Sequence, residues 1–244
     1  MVDLDASTLS TTDLNRRIKE LAGNGVDEIR VLNPQARHNI AVGILAPCKI
    51  TIEGSVGYYA ASLMDGPEVT IRGNAGWALG ENLMSGKIVL TRDAGASVAS
   101  SIRGGEVFVS GNAGARAGIS MKGGSLIIRG NAGFLTGFMM QKGKIIICGD
   151  VGEAVGDSMY EGAIYVAGKI GSLGSDAKIT EVTEDELISV WETLERYGII
   201  ESVRGGQGRE RVERHKDRYA FTKIVSAKRL YHFDSLERLE KRVI

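Results

Sequence analysis

The sequence predicts an all-β fold, a β-solenoid of about seven 19-residue coils with helical caps at its N- and C-terminal ends. Three observations predict it. Glycine recurs on a 19-residue grid: Gly54, Gly73, Gly111, Gly130, Gly149 and Gly168 form one column, and Gly57, Gly76, Gly95, Gly114, Gly133, Gly152 and Gly171 an unbroken second. Apolar residues keep the same period in pairs two positions apart: Val69 and Ile71, Ile88 and Leu90, Val107 and Val109, Leu126 and Ile128, Ile145 and Ile147, Ile164 and Val166. Such a pair is one face of a β-strand. Finally, nineteen residues are too few for a strand, a crossover helix and two loops, and the glycine and β-branched content opposes a helical pair. Coils of short strands, stacked in parallel with like side chains in ladders, remain.

Each element follows in chain order. Thr12 to Ala22 places Leu14, Ile18 and Leu21 at helical spacing, with Thr11 or Thr12 as cap and Gly23 as stop, which predicts an N-terminal cap helix. Glu28 to Leu32 and Ile40 to Ile52 read as irregular lead-in coils bent by Pro34 and Pro47, out of phase with the glycine columns. Residues 1–53 are thus cap and lead-in, and residues 54–176 the repeat. Within the repeat, the columns Met64, Leu83, Ile102, Met121, Met140, Met159 and Val56, Ala75, Ala94, Ala113, Ala132, Val151 give every coil two more inward side chains. Ser55, Asn74, Asp93, Asn112, Asn131 and Asp150 are expected to bond their own backbone at turns beside a positive-φ glycine. Residues 177–244 form a second cap and a tail. Thr183 and Glu186 make a capping box ahead of Leu187, Val190, Trp191 and Leu194, and Gly198 ends that helix. Arg204 to Gly208 reads as a linker before a charged tail.

Composition bounds the function. With 43% apolar and 25% charged residues in 244, the chain can bury one sizeable core. Thirty basic residues balance thirty acidic ones, which removes any global attraction to nucleic acid or an anionic membrane. The first residues lack a basic and apolar leader, and no apolar run approaches membrane-spanning length, so a cytoplasmic location is expected. Two distant cysteines, Cys48 and Cys148, cannot hold a zinc or an iron–sulfur cluster by themselves.

The repeats GNAGWALGENLMSGKIVL (73–90), GNAGARAGISMKGGSLII (111–128) and GNAGFLTGFMMQKGKIII (130–147), with NPQARHNIAVGI (33–44) and GSVGYY (54–59), resemble the GXGXG domain at the C-terminus of the glutamate synthase large subunit. The same family includes one of the subunits of formylmethanofuran dehydrogenase. The resemblance runs from about Glu28 to Asp176. It implies a right-handed parallel β-helix without catalytic residues, beside a glutaminase and an FMN and iron–sulfur synthase module that are both missing from this sequence. Free-standing forms of the domain look like the third subunit of split glutamate synthases and of N-methylglutamate synthases of methylamine metabolism. The expected partners are therefore a glutaminase-type amidotransferase subunit and an FMN-dependent glutamate synthase-like subunit, with self-association as a further option. FMN and the iron–sulfur cluster are expected on those partners.

No residue is assigned a catalytic, cofactor-binding or metal-binding role. Seven copies of a glycine turn with no Lys-Ser/Thr behind them read as turns rather than a phosphate cradle. Only Asp93 and Asp150 put carboxylates in the polar column, which argues against a calcium roll. His38 reads as a structural or interface residue and Cys148 as an ordinary thiol. Between Arg204 and Arg229 nine basic residues face three acidic ones, a docking arm by this reading since no nucleic-acid motif accompanies them. Two functions survive: a non-catalytic scaffold subunit, and a self-standing solenoid enzyme with a groove active site. The second needs carboxylates or a histidine aligned at one angle, and the nine acidic residues of the repeat share no column. The outward strand column Thr70, Val89, Phe108, Ile127, Ile146 and Tyr165 is apolar where a free surface would be polar. Val89, Phe108, Ile127, Ile146 and Tyr165 are therefore the expected partner interface, unless the tail covers them through Phe221, Ile224 and Val225.

Overall fold

The computed structural model describes residues 1–200 and 220–227. Nine parallel strands succeed one another: β1 (Val2–Asp5), β2 (Glu28–Leu32), β3 (Lys49–Glu53), β4 (Asp65–Ile71), β5 (Ser85–Leu90), β6 (Glu106–Val109), β7 (Lys122–Ile128), β8 (Lys142–Ile147) and β9 (Ala163–Val166). The register is the 19-residue grid itself, with Val107 opposite Leu126 and Leu126 opposite Ile145. A second ladder of parallel bridges runs Val56, Ala75, Ala94, Ala113, Ala132, Val151, Ile170. Between bridge and strand lies a turn segment whose amides also bond from coil to coil, as Leu63 N–H to the Glu81 carbonyl and Asn82 N–H to that of Ser100. The chain is a β-solenoid of about seven turns. All four inward columns are buried in one core that runs from Leu4 to Ile224.

Two kinds of glycine make this stacking work. At Gly130 a Cβ would stand 2.5 Å from Asn112 Oδ1 and 2.7 Å from the Gly111 carbonyl, so the first column serves close approach of coils. Positive φ belongs to the third column, at +68° in Gly118. The polar column accordingly does not bond its own backbone as expected. Each side chain accepts from the next coil: Asn112 N–H donates to Asp93 Oδ1 at 2.7 Å, Asn131 N–H to Asn112 Oδ1 at 2.9 Å, and Asp150 N–H to Asn131 Oδ1 at 2.8 Å. A polar side chain in every coil thus satisfies a backbone donor that the close approach would otherwise strand.

The ends differ from the sequence reading in four respects. Helix α1 (Thr11–Gly23) buries Leu14, Ile18 and Leu21 as expected, but its cap is Ser10, whose hydroxyl accepts from Asp13 N–H. β1 was not foreseen, because four residues beside the chain terminus carry too short a pattern. β3 is in phase with the repeat, Ile50 lying opposite Val69, so the regular stack begins one coil before Gly54. At the far end β10 (Ala177–Thr180) does not pair with β9. The tail strand β11 (Thr222–Ser226) enters between them, antiparallel to both, and buries Ile224.

Helix α2 (Glu184–Arg196) carries the expected capping box at Thr183 and Glu186, and Gly198 follows it at φ +64°. It does not close the end of the solenoid. Tyr165 in β9 meets Glu186 at its start, Lys144 in β8 meets Ser189, and Glu106 in β6 meets Tyr197 just past its end. The helix therefore lies along the outer strand face and runs back toward the N-terminal coils.

Candidate functional site

The strand face was the expected partner interface, and its occupant is the chain's own helix. Phe108, Ile127, Ile146 and Tyr165 are buried with Val190, Trp191, Leu194, Ile199, Ile200 and Phe221, and Val89 is partly buried at the margin. The correction has a simple cause: the apolar stripe of α2 matches a stripe of equal length on β6 to β9, and joining them removes both from water. Of the tail residues offered as an alternative cover, Phe221 takes part, whereas Ile224 sits in the solenoid core. Apart from Lys223, the basic residues of the tail, with the linker at Arg204, lie outside the described residues.

Polar contacts fix both ends of the helix on this face. At its N-terminal end, Glu186 accepts from Lys223 Nζ, from Thr183 N–H at 2.9 Å and from the Tyr165 hydroxyl at 3.2 Å. Burial opposes ionisation of this carboxyl, but Lys223 and the Thr183 donors outweigh it and hold its pKa down to about 2. Burial first, then the Glu186 charge, pushes the Tyr165 phenol up. Beyond the C-terminal end, the Tyr197 hydroxyl donates to Glu106, Arg196 pairs with Glu106 at 3.4 Å, and Lys87 Nζ lies 4.7 Å from the centre of the Tyr197 ring. Lys87 and Glu106 belong to a column of alternating charge, Glu28, Lys49, Glu68, Lys87, Glu106, in which each residue is the register partner of the next. Opposite charges on adjacent strands favour this register and disfavour a slip by one coil.

The other positions weighed in the sequence are structural in their surroundings. His38 Nδ1 accepts from Tyr58 N–H at 2.9 Å, and its ring stacks on Tyr58 at 4.4 Å between centroids. Tyr58 in turn stacks on Trp77 at 5.2 Å. Cys148 is buried at the margin of the helix seam, and burial pushes its thiol up to about 12. The roomiest cleft, about 480 Å³, is lined by Asp27, Glu28, Pro47, Cys48, Lys49, Gly66 and Glu68. Burial raises the Cys48 thiol as well, so that cleft holds no activated nucleophile. Among the described residues no group of three or more His, Cys, Asp or Glu side chains is placed to hold a metal ion. No described helix is long and apolar enough to cross a membrane.

The comparisons with known proteins agree with this architecture. Over 64 residues, 26% of this chain and 28% of the relative, the sequence is 37% identical to Protein GlxC of Rhizobium meliloti (strain 1021). The chain therefore aligns with less than a third of that relative's length. Among solved structures, it superposes on a chain of the formyltransferase/hydrolase complex (FhcABCD) from Methylorubrum extorquens, determined with methylofuran, at a TM-score of 0.55 and 22% identity. That superposition covers 70% of this chain and 59% of the other, and it shows a shared fold. The profile of the GXGXG motif family matches residues 36–203, a span that takes in the regular coils and the helix lying on them. The chain belongs to the GXGXG motif family.

Proposed function

We propose that this chain is a non-catalytic scaffold subunit of a glutamate synthase-type complex. It holds a glutaminase-type amidotransferase subunit in fixed relation to an FMN-dependent synthase-like subunit, and the FMN and iron–sulfur cluster belong to those partners. The observation that carries the reading is the GXGXG match over residues 36–203, which spans the solenoid and the helix on its strand face. The fold suits the task. Each coil is tied to both neighbours through the strand, bridge and turn segments, so two sites on the cylinder keep a fixed separation when one of them is loaded. A rigid spacer between an ammonia-releasing subunit and an ammonia-consuming one would preserve the geometry of transfer without contributing a reactive group.

The test is a reconstitution. The purified chain alone should hydrolyse no glutamine and bind no stoichiometric flavin. Added to the two partner subunits, it should raise glutamine-dependent turnover while leaving turnover with free ammonium nearly unchanged. Flavin bound tightly to the isolated chain, or equal stimulation with both nitrogen sources, would overturn the reading.

A further inference from the structure

The helix accounts for the strand face and the polar ladder for the bridge face, which leaves the turn face. There the largest exposed side chains gather. Tyr58, Tyr59, Leu63 and Trp77 form a cluster on the N-terminal coils, and Phe134, Met139 and Tyr160 a second on the C-terminal coils. These side chains are between 38% and 58% exposed. Tyr58 and Phe134 occupy the same position four coils apart, so the clusters lie about 19 Å from each other at about 4.8 Å per coil. A fully buried aromatic removes roughly 150–250 Å² from water, so the two clusters together offer roughly 700 Å². That approaches the roughly 800 Å² that a standard interface takes from each partner.

The stretch between the clusters has a different chemistry. The aromatic stack His38, Tyr58, Trp77 is interrupted at the next two coils by Ala96 and Ala115, and resumes at Phe134, over which the Arg116 guanidinium lies at 5.5 Å. The turn segments 96–103 and 115–122 contain Arg103, Arg116 and Lys122 and no acidic residue. Arg103 and Arg116 are exposed and Lys122 half-exposed. The face thus reads apolar, basic, apolar along the solenoid axis. A second copy of the chain is a poor occupant, because two-fold pairing would set this basic centre against itself.

We propose that the turn face is the docking surface for a partner subunit that presents two apolar contacts about 19 Å apart with carboxylates between them. The Ala96 and Ala115 notch admits planar side chains of that partner, which would continue the stack from Trp77 to Phe134. This proposal rests on the scaffold reading and adds to it the face on which a partner sits.

The experiment compares oxidation of the free full-length chain with that of the tagged chain isolated together with its subunits, using hydrogen peroxide and hydroxyl radicals and reading each site by mass spectrometry. Met139 and Trp77 should oxidise at least ten-fold more slowly in the complex, while Met64 and Met121, fully buried in the core, stay unreactive in both. The Arg103→Glu, Arg116→Glu double variant should keep the circular dichroism of the parent, bind the partner at least ten-fold more weakly and lose most of the salt dependence of binding. A complex in which Met139 and Trp77 react as fast as in the free chain overturns the docking face and leaves the scaffold reading standing. Concentration-dependent protection of the same residues in the chain alone assigns the face to a second copy and overturns the proposal. A chain that purifies without partners contradicts the scaffold reading, and the docking with it.

Discussion

The ring of Tyr197 lies on the ring of Phe108 with 4.1 Å between centroids and 18° between planes, joining the segment just past α2 to the outer face of β6. With the bond from the Tyr197 hydroxyl to Glu106, this contact ties down the end of a helix that begins three coils away beside Tyr165. The helix is therefore a structural part of the solenoid wall, and substitutions beneath it should report on folding rather than on assembly. Phe108→Ala should cost about 3 kcal/mol or more in denaturant unfolding, as other buried aromatic truncations do. Ile127→Glu should cost more, since the charge would be buried without a partner. Either variant retaining the parent's midpoint while losing a partner subunit would contradict the covered face.

The interior register makes a paired expectation. Ile128 is fully buried in the stack and Arg129 beside it is exposed. Ile128→Ala should cost on the order of 2–5 kcal/mol, and Arg129→Ala about half a kcal/mol or less. Equal losses from urea melts of the two variants would show that the strand does not face the core as described.

Glycines should divide by what surrounds them. A Cβ at Gly114 would stand 2.8 Å from the Ala96 amide nitrogen and 2.9 Å from the Gly95 carbonyl carbon, so two coils must separate to admit Gly114→Ala. Gly23 at the end of α1 has nothing within 4 Å of its Cβ position and no positive φ. Gly114→Ala should cost more than about 2 kcal/mol through overpacking of backbone on backbone, whereas Gly23→Ala should be neutral or stabilise by up to about 1 kcal/mol. Thermal midpoints of the two variants distinguish the cases.

The Glu186 carboxyl gives an acid signature. Its pKa of about 2 in the folded chain lies below the ordinary value of 4.5, so ionised Glu186 stabilises the folded state above the ordinary value. That contribution fades as pH falls from about 5 and is gone below about 2. Stability from urea melts should drop by on the order of 2 kcal/mol across that window beyond the loss seen in Glu186→Gln. Identical acid profiles for parent and variant would mean that Lys223 and Thr183 do not hold this charge.

The sequence carried the solenoid because every coil repeats the same decision. Ile88, Val107, Leu126, Ile145 and Ile164 each mark one strand face, and a chance pattern would not return five times in phase. Single events were harder to read. The amphipathic stripe of Val190, Trp191 and Leu194 is equally compatible with an end cap and with a wall helix, and only the matching stripe from Phe108 to Tyr165, read against it, distinguishes the two. β11 has five residues of unexceptional pattern, and its insertion between β9 and β10 depends on contacts more than fifty residues away. The turn face was invisible as a unit, because Tyr58, Trp77 and Phe134 share a column with Ala96 and Ala115, and a column of mixed size does not announce itself. The family resemblance carried the functional reading further than any single side chain.

The central claim, that this chain serves as a subunit, is tested most directly by native mass spectrometry of the tagged full-length chain purified gently from the cells that produce it. The account requires a heteromeric assembly of fixed stoichiometry that includes a glutaminase-type and an FMN-bearing subunit, with the flavin mass staying on the partner when the assembly is dissociated in the gas phase. A lone chain, a homo-oligomer without other subunits, or a flavin that stays with this chain would contradict it.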